Sequence, residues 1–155
     1  MSESRSPRLS PLWTCPKCGK RYVSRSLWHS CVRLSIEDHF LGRPRARELF
    51  DAFLAAVEEL GPVSVAVSKT RIELMTRVRF AGCQVRKEYL RAGFWLKRRA
   101  ESPRFVRTEF IPPNNWVYSF EIRDETDIDD DIRAFLREAR AVGDQEHLMP
   151  RAADA

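Results

Sequence analysis

The chain has 155 residues, 43% hydrophobic and 10% aromatic, with only six glycines and nine prolines. That composition excludes a disordered or collagenous polypeptide and leaves room for one substantial core. The net charge of +5 is unevenly spread: residues 1–33 hold seven basic against one acidic, residues 34–110 fifteen against ten, and residues 111–155 five against eleven. A basic front of this kind attracts anionic partners, nucleic acid foremost, through phosphate neutralisation. Only five of the 27 basic residues are lysine, so a general preference for arginine in the composition is the competing explanation.

The opening MSESRSPRLSPLW lacks the apolar core of a signal peptide, and the longest apolar run, Phe53 to Val57, is far short of the roughly 18–20 residues that span a bilayer. The cytoplasm is the expected location, with no membrane partner. There thiols stay reduced, so clustered cysteines point to metal rather than to disulfides. Cys15-Pro-Lys-Cys18-Gly is a C-x2-C knuckle, and ten residues on comes His29-Ser-Cys31. Residues i and i+2 of an extended segment face the same side, so His29 and Cys31 complete a tetrahedral set with Cys15 and Cys18 for structural zinc. His39 is a rival fourth ligand through a longer loop. Residues 1–33 are accordingly read as a zinc-binding module, with Trp13, Tyr22 and Trp28 as its small core.

Residues 34–142 read as an α+β domain. Ser35 with Asp38 suggests a capping box opening a short helix, broken at Gly42 and Pro44. Leu49, Phe50, Phe53, Leu54, Val57 and Leu60 then recur at helical spacing until Gly61-Pro62 stops the helix. From Val63 the period becomes two. Val63 to Val67, Ile72 to Phe80, Leu90 to Leu96, Arg104 to Phe110 and Trp116 to Ile122 read as five strands, with a turn at Pro112-Pro113-Asn114-Asn115. A second helix follows, capped at Thr126 or Asp127, with Asp129 to Asp131 in its first turn and Ile132, Phe135, Leu136 and Ala139 as its apolar stripe. The expected architecture is a two-layer sandwich, an antiparallel meander of roughly five strands with both helices on one face. Residues 143–155 read as a polar, frayed tail.

The segments Trp13-Thr-Cys-Pro-Lys-Cys, Trp28-His-Ser-Cys, Asp38-His-Phe, Gly61-Pro-Val, Lys69-Thr-Arg-Ile and Arg79-Phe-Ala resemble, in order and spacing, a family of small bacterial proteins described as domain of unknown function DUF5655. The likeness covers most of residues 13–141, and the zinc segment is similar to one that some members carry. The resemblance implies a bacterial origin and a single α+β domain; it implies no reaction.

No triad, phosphate loop or dinucleotide fingerprint assembles from the sequence. The acids from Asp124 to Asp131 lack the spacing and glycine of a calcium loop and suit a helix cap better. Glu73 and Glu88 lack the arrangement of a nuclease. Cys83 reads as a small buried side chain rather than a nucleophile. The outward positions of the strands are more telling. Arg71, Arg77, Arg79, Arg91 and Lys97, with Trp95 among them and Lys69 in a nearby turn, face Glu73 alone. A row of cations with an aromatic is the pattern of an anion or single-strand platform. The expectation is a non-catalytic module for nucleic acid or another polyanion. A small-ligand or enzymatic pocket near Lys69 and Trp95, or a protein-interaction adaptor, is the alternative.

Overall fold

The computed structural model describes residues 11–25 and 35–148. At the N-terminal end, β1 (Trp13–Thr14) and β2 (Arg21–Tyr22) form a small antiparallel hairpin with Trp13 opposite Tyr22. Its turn is the cysteine knuckle. Gly19 adopts φ +75°, which a residue without Cβ reaches freely, and its amide donates to the Cys15 carbonyl at 2.8 Å.

The remaining described chain supplies two helices, α1 (Pro44–Glu58) and α2 (Asp130–Gly143), and six strands: β3 (Ser64–Val67), β4 (Ile72–Met75), β5 (Arg79–Val85), β6 (Leu90–Leu96), β7 (Arg107–Ile111) and β8 (Asn115–Ile122). The strands form one antiparallel sheet in the order β3-β4-β5-β6-β8-β7. Proline at the first turn suits the start of α1, where no amide partner is needed. Its end is marked by Gly61, at φ +132°. Asp129 caps α2 by accepting from the Ile132 amide at 2.9 Å.

Both helices pack on the same face of the sheet. Leu90, Ala92, Phe94 and Leu96 alternate inward from β6, and Tyr118, Phe120 and Ile122 from β8, all buried. Phe94 stacks on Phe135 of α2, with ring centroids 5.3 Å apart. Phe120 meets Phe53 of α1 edge-on at 6.5 Å. The Tyr118 hydroxyl, buried among these rings, accepts from the Ala100 amide at 2.5 Å, so its polar tip is satisfied inside the core.

The two-layer α+β architecture agrees with the sequence reading, but the strand count and order differ. The alternating run from Ile72 to Phe80 is two strands, not one. The chain reverses at Thr76 to Val78, where the Arg77 and Val78 amides both donate to the Gly143 carbonyl at 3.1 Å. A turn held by a distant helix end leaves no local signature, and the in-and-out pattern resumes beyond it. The sheet is not a meander either, because β8 lies between β6 and β7. The capping assignments also shift. Ser35 accepts from the Glu37 amide at the head of a 3-10 turn, Ile36–Phe40. The capping box is instead formed by Asp124 and Asp127 on the turn Glu125–Asp127, which precedes α2. The described part of the tail is anchored: Gln145 accepts from Arg77 Nε at 2.9 Å.

Candidate anion-binding site

The sheet face opposite the helices has a row running straight across it. Ala66, Glu73, Gly82, Gly93, Ser119 and Arg107 are successive cross-strand neighbours from β3 to β7. Two glycines at the centre of that row leave the surface without side chains where it would otherwise be filled. A Cβ on Gly82 would lie 2.8 Å from the Ile72 carbonyl oxygen and 3.0 Å from Glu73 Oε2, and one on Gly93 would lie 3.0 Å from the Tyr118 carbonyl oxygen. The face therefore sinks into a groove of ≈ 310 Å³, walled by Arg71, Arg86, Arg91, Arg107 and Trp95 with Glu73 in its floor.

Three arginines of this groove differ in their partners from most of those on the helical side. On the helical side, Arg98 meets Glu138 at 2.8 Å, Arg104 meets Asp129 at 2.8 Å and Arg133 meets Glu59 at 2.6 Å. Arg45 bridges Glu48, Asp124 and Glu125. Among the described residues, Arg71, Arg86 and Arg91 make no ion pair within 4.0 Å. Glu121, the cross-strand neighbour of Arg91, is engaged by Arg123 at 3.0 Å. Several guanidinium groups sharing one partly buried carboxylate still repel one another and leave donors free for an anion.

Glu73 is the acid beneath them. Its side chain is 15% exposed and lies 4.0 Å from Arg79 Nη1. Burial holds its carboxyl above the ordinary carboxylate value, partly offset by Arg79 and Arg71. Cys83 faces the core from the next position. Burial, and then the charge of Glu73, pushes its thiol up to about 12, so it is a packed thiol and not a nucleophile at neutral pH.

A second hollow of ≈ 380 Å³ lies between the β1–β2 hairpin and the length of the β3–β4 pair with its connecting turn. Tyr22 and Lys20 come from the hairpin, and Val67, Lys69, Met75 and Arg79 from the sheet side. Tyr22 and Met75 are buried, so the floor is apolar and the rim cationic. Arg71 and Glu73 line both hollows.

Of the cations and aromatic expected on one platform, Lys69, Arg71 and Arg79 line the hairpin hollow, and Arg71, Arg91 and Trp95 the groove. Two others lie elsewhere. Arg77 is in the β4–β5 turn and donates to Gln145 beyond α2, so it does not share a strand face with Arg79. Lys97 follows the end of β6, donates to Asn115 Oδ1 at 2.6 Å, and borders a hollow with Ala141, Val142 and His147. The single pocket expected under Lys69 and Trp95 is two hollows that meet at Arg71 and Glu73. Arg86, Arg107, Gly82 and Gly93 escaped the sequence reading. The two glycines inside β5 and β6 were the available signal, because a strand interior seldom leaves a position empty without a reason.

The metal-ligand set is divided. Cys15 and Cys18 are both buried, lie at the hairpin turn and form no disulfide. Their placement suits a thiolate-binding metal such as zinc. His29 and Cys31 fall outside the described residues. His39, the rival ligand, has its Nε2 2.7 Å from the Ser68 carbonyl, a hydrogen bond that ties the Ile36–Phe40 turn to the β3–β4 connection. Among the described residues, no group of three or more His, Cys, Asp or Glu side chains is placed to hold a metal, and no helix is long and apolar enough to cross a membrane.

No curated protein and no solved structure matches the chain. The sequence profile of one family matches residues 36–140, from the turn that precedes α1 to the last turn of α2, and so takes in all six strands of the sheet and the arginine groove, but not the hairpin that closes the second hollow. The chain thus belongs to the family described as domain of unknown function (DUF5655).

Proposed function

We propose that this protein is a non-catalytic binding module for an anionic partner, with nucleic acid as the favoured class, and that zinc held by Cys15, Cys18, His29 and Cys31 orders its N-terminal segment. The observation that carries the reading is the contrast in charge pairing. Arg45, Arg98, Arg104 and Arg133 on the helical side sit on carboxylates, while Arg71, Arg86 and Arg91 make no ion pair within 4.0 Å and line a glycine-floored groove whose one lining acid among the described residues is Glu73. Phosphate oxygens match guanidinium donors in geometry and charge, and Trp95 offers an aromatic surface beside them.

The test is a binding titration with single-stranded and duplex nucleic acid at two salt concentrations. Affinity should fall steeply as salt rises, and Arg91→Gln should weaken binding and flatten the salt slope by about one unit. A small-ligand reading of the same groove predicts instead a thermal shift with one metabolite and little salt dependence. A stable protein partner in a pull-down, with both of those measurements blank, would replace the proposal with an adaptor role.

A further inference from the structure

The groove and the hairpin hollow are contiguous, since Arg71 and Glu73 line both, yet their chemistry differs. The groove is walled by four arginines, of which Arg71, Arg86 and Arg91 make no ion pair among the described residues. The hollow has an apolar floor of Tyr22 and Met75, both buried, with Val67 and Ala66 beside them. Their volumes, ≈ 310 Å³ and ≈ 380 Å³, are each on the scale of a small-molecule subsite. A ligand spanning them has an anionic end and an apolar end, with a hydrogen-bonding edge for the carboxyl of Glu73 at the junction.

Resting on the anion-binding reading above, we infer that the paired hollows take one nucleotide unit, its phosphate in the arginine groove and its base in the hollow under the β1–β2 hairpin. A carboxylate accepts from the exocyclic amine of adenine or cytosine, so Glu73 favours an amino-bearing base. Arg71, at the junction, reaches the phosphate side, and Lys69 and Lys20 on the rim add charge for a neighbouring phosphate. The β1–β2 hairpin, outside the segment matched by the family profile, is then part of the ligand site and not an appendage. The unit can be a free nucleotide or one residue of a single strand.

Titration of the full chain with adenosine 5′-monophosphate and with ribose 5-phosphate separates the base from the phosphate without any substitution. The monophosphate should bind at least tenfold more tightly. Ala66→Leu, which places bulk in the hairpin hollow opposite Glu73, should bring the monophosphate down to the affinity of ribose 5-phosphate and leave the latter unchanged. Arg91→Gln should weaken both. An unphosphorylated adenine tetranucleotide distinguishes the sources: binding that Ala66→Leu weakens places a strand in the hollows, while its exclusion alongside tight monophosphate binding places a free nucleotide there. Equal affinity of the unaltered chain for monophosphate and ribose 5-phosphate overturns the inference and leaves the anion groove standing. No binding of either, or of nucleic acid at low salt, overturns both.

Discussion

Glu73 shows how one side chain takes its properties from its neighbours. Its carboxyl lies over Gly82 and beneath Arg79, and burial is the largest influence on it, holding it above the ordinary value of 4.5. The folded chain thus binds that proton more tightly than the unfolded chain does. Stability from this group is greatest at low pH and falls as pH rises through the unfolded value, with the full penalty present above the folded one. Glu73→Gln, neutral throughout, should therefore gain on the parent protein as pH increases: the melting-temperature difference should be larger at pH 7 than at pH 4. A difference independent of pH would mean that the carboxyl is solvated. The sequence makes Glu73 visible as a lone acid among alternating cations. Its burial is not visible there, because that depends on a glycine contributed by the next strand. Arg77 is the converse case. Its spacing from Arg79 suggests a shared face, and only the docking of the chain beyond α2 directs it to Gln145.

The elements were largely readable where their period is sustained. α1 and α2 announce themselves by apolar stripes, and β6 and β8 by strict alternation with buried inward residues. The sequence pattern merges β4 and β5 because a tight turn inside an alternating run preserves the alternation on both sides. β5 also carries the groove floor. At Gly82 the atom nearest an added Cβ is backbone, the Ile72 oxygen at 2.8 Å, which cannot rotate away. Gly82→Ala should cost on the order of 1–3 kcal/mol in urea unfolding and should weaken anion binding by displacing Glu73; unchanged stability would mean that the β4–β5 pairing is looser than the contacts imply. The β1–β2 hairpin, with two strands of two residues each, is too small to hold itself together by burial. Zinc supplies the missing cohesion in the proposed arrangement. Metal analysis should find one zinc per chain, lost in Cys18→Ser together with protection of the hairpin amides, whereas a metal-free protein with those amides still protected would remove zinc from the account.

Across the whole molecule, folding rearranges the charge that the linear sequence divides into a basic front and an acidic tail. Asp124, Glu125, Asp129 and Glu138 are brought onto Arg45, Arg104 and Arg98, so much of the excess is neutralised on the helical side. Among the described residues, Arg71, Arg86 and Arg91 keep no ion-pair partner within 4.0 Å, and their convergence on one groove predicts a local effect. In the nucleic-acid titration, Arg137→Gln, an exposed change on α2, should scarcely alter affinity, while Arg91→Gln should reduce it. Equal losses would make the attraction a diffuse property of net charge. Arg140 is unsuited as that control, because it is 16% exposed and its guanidinium packs 3.0 Å from the Cβ position of Gly61. The strand order has a consequence of another kind. β8 occupies the slot between β6 and β7, so the sheet cannot close in the order in which the chain leaves the ribosome. β6 emerges with a seven-residue edge bare and stays so until Asn115–Ile122 arrives with Tyr118, Phe120 and Ile122. The half-made protein carries an open template for foreign strands during that interval. The shortest way out is for β7 and β8, joined by a tight turn, to zip as a hairpin and dock onto β6 as one unit.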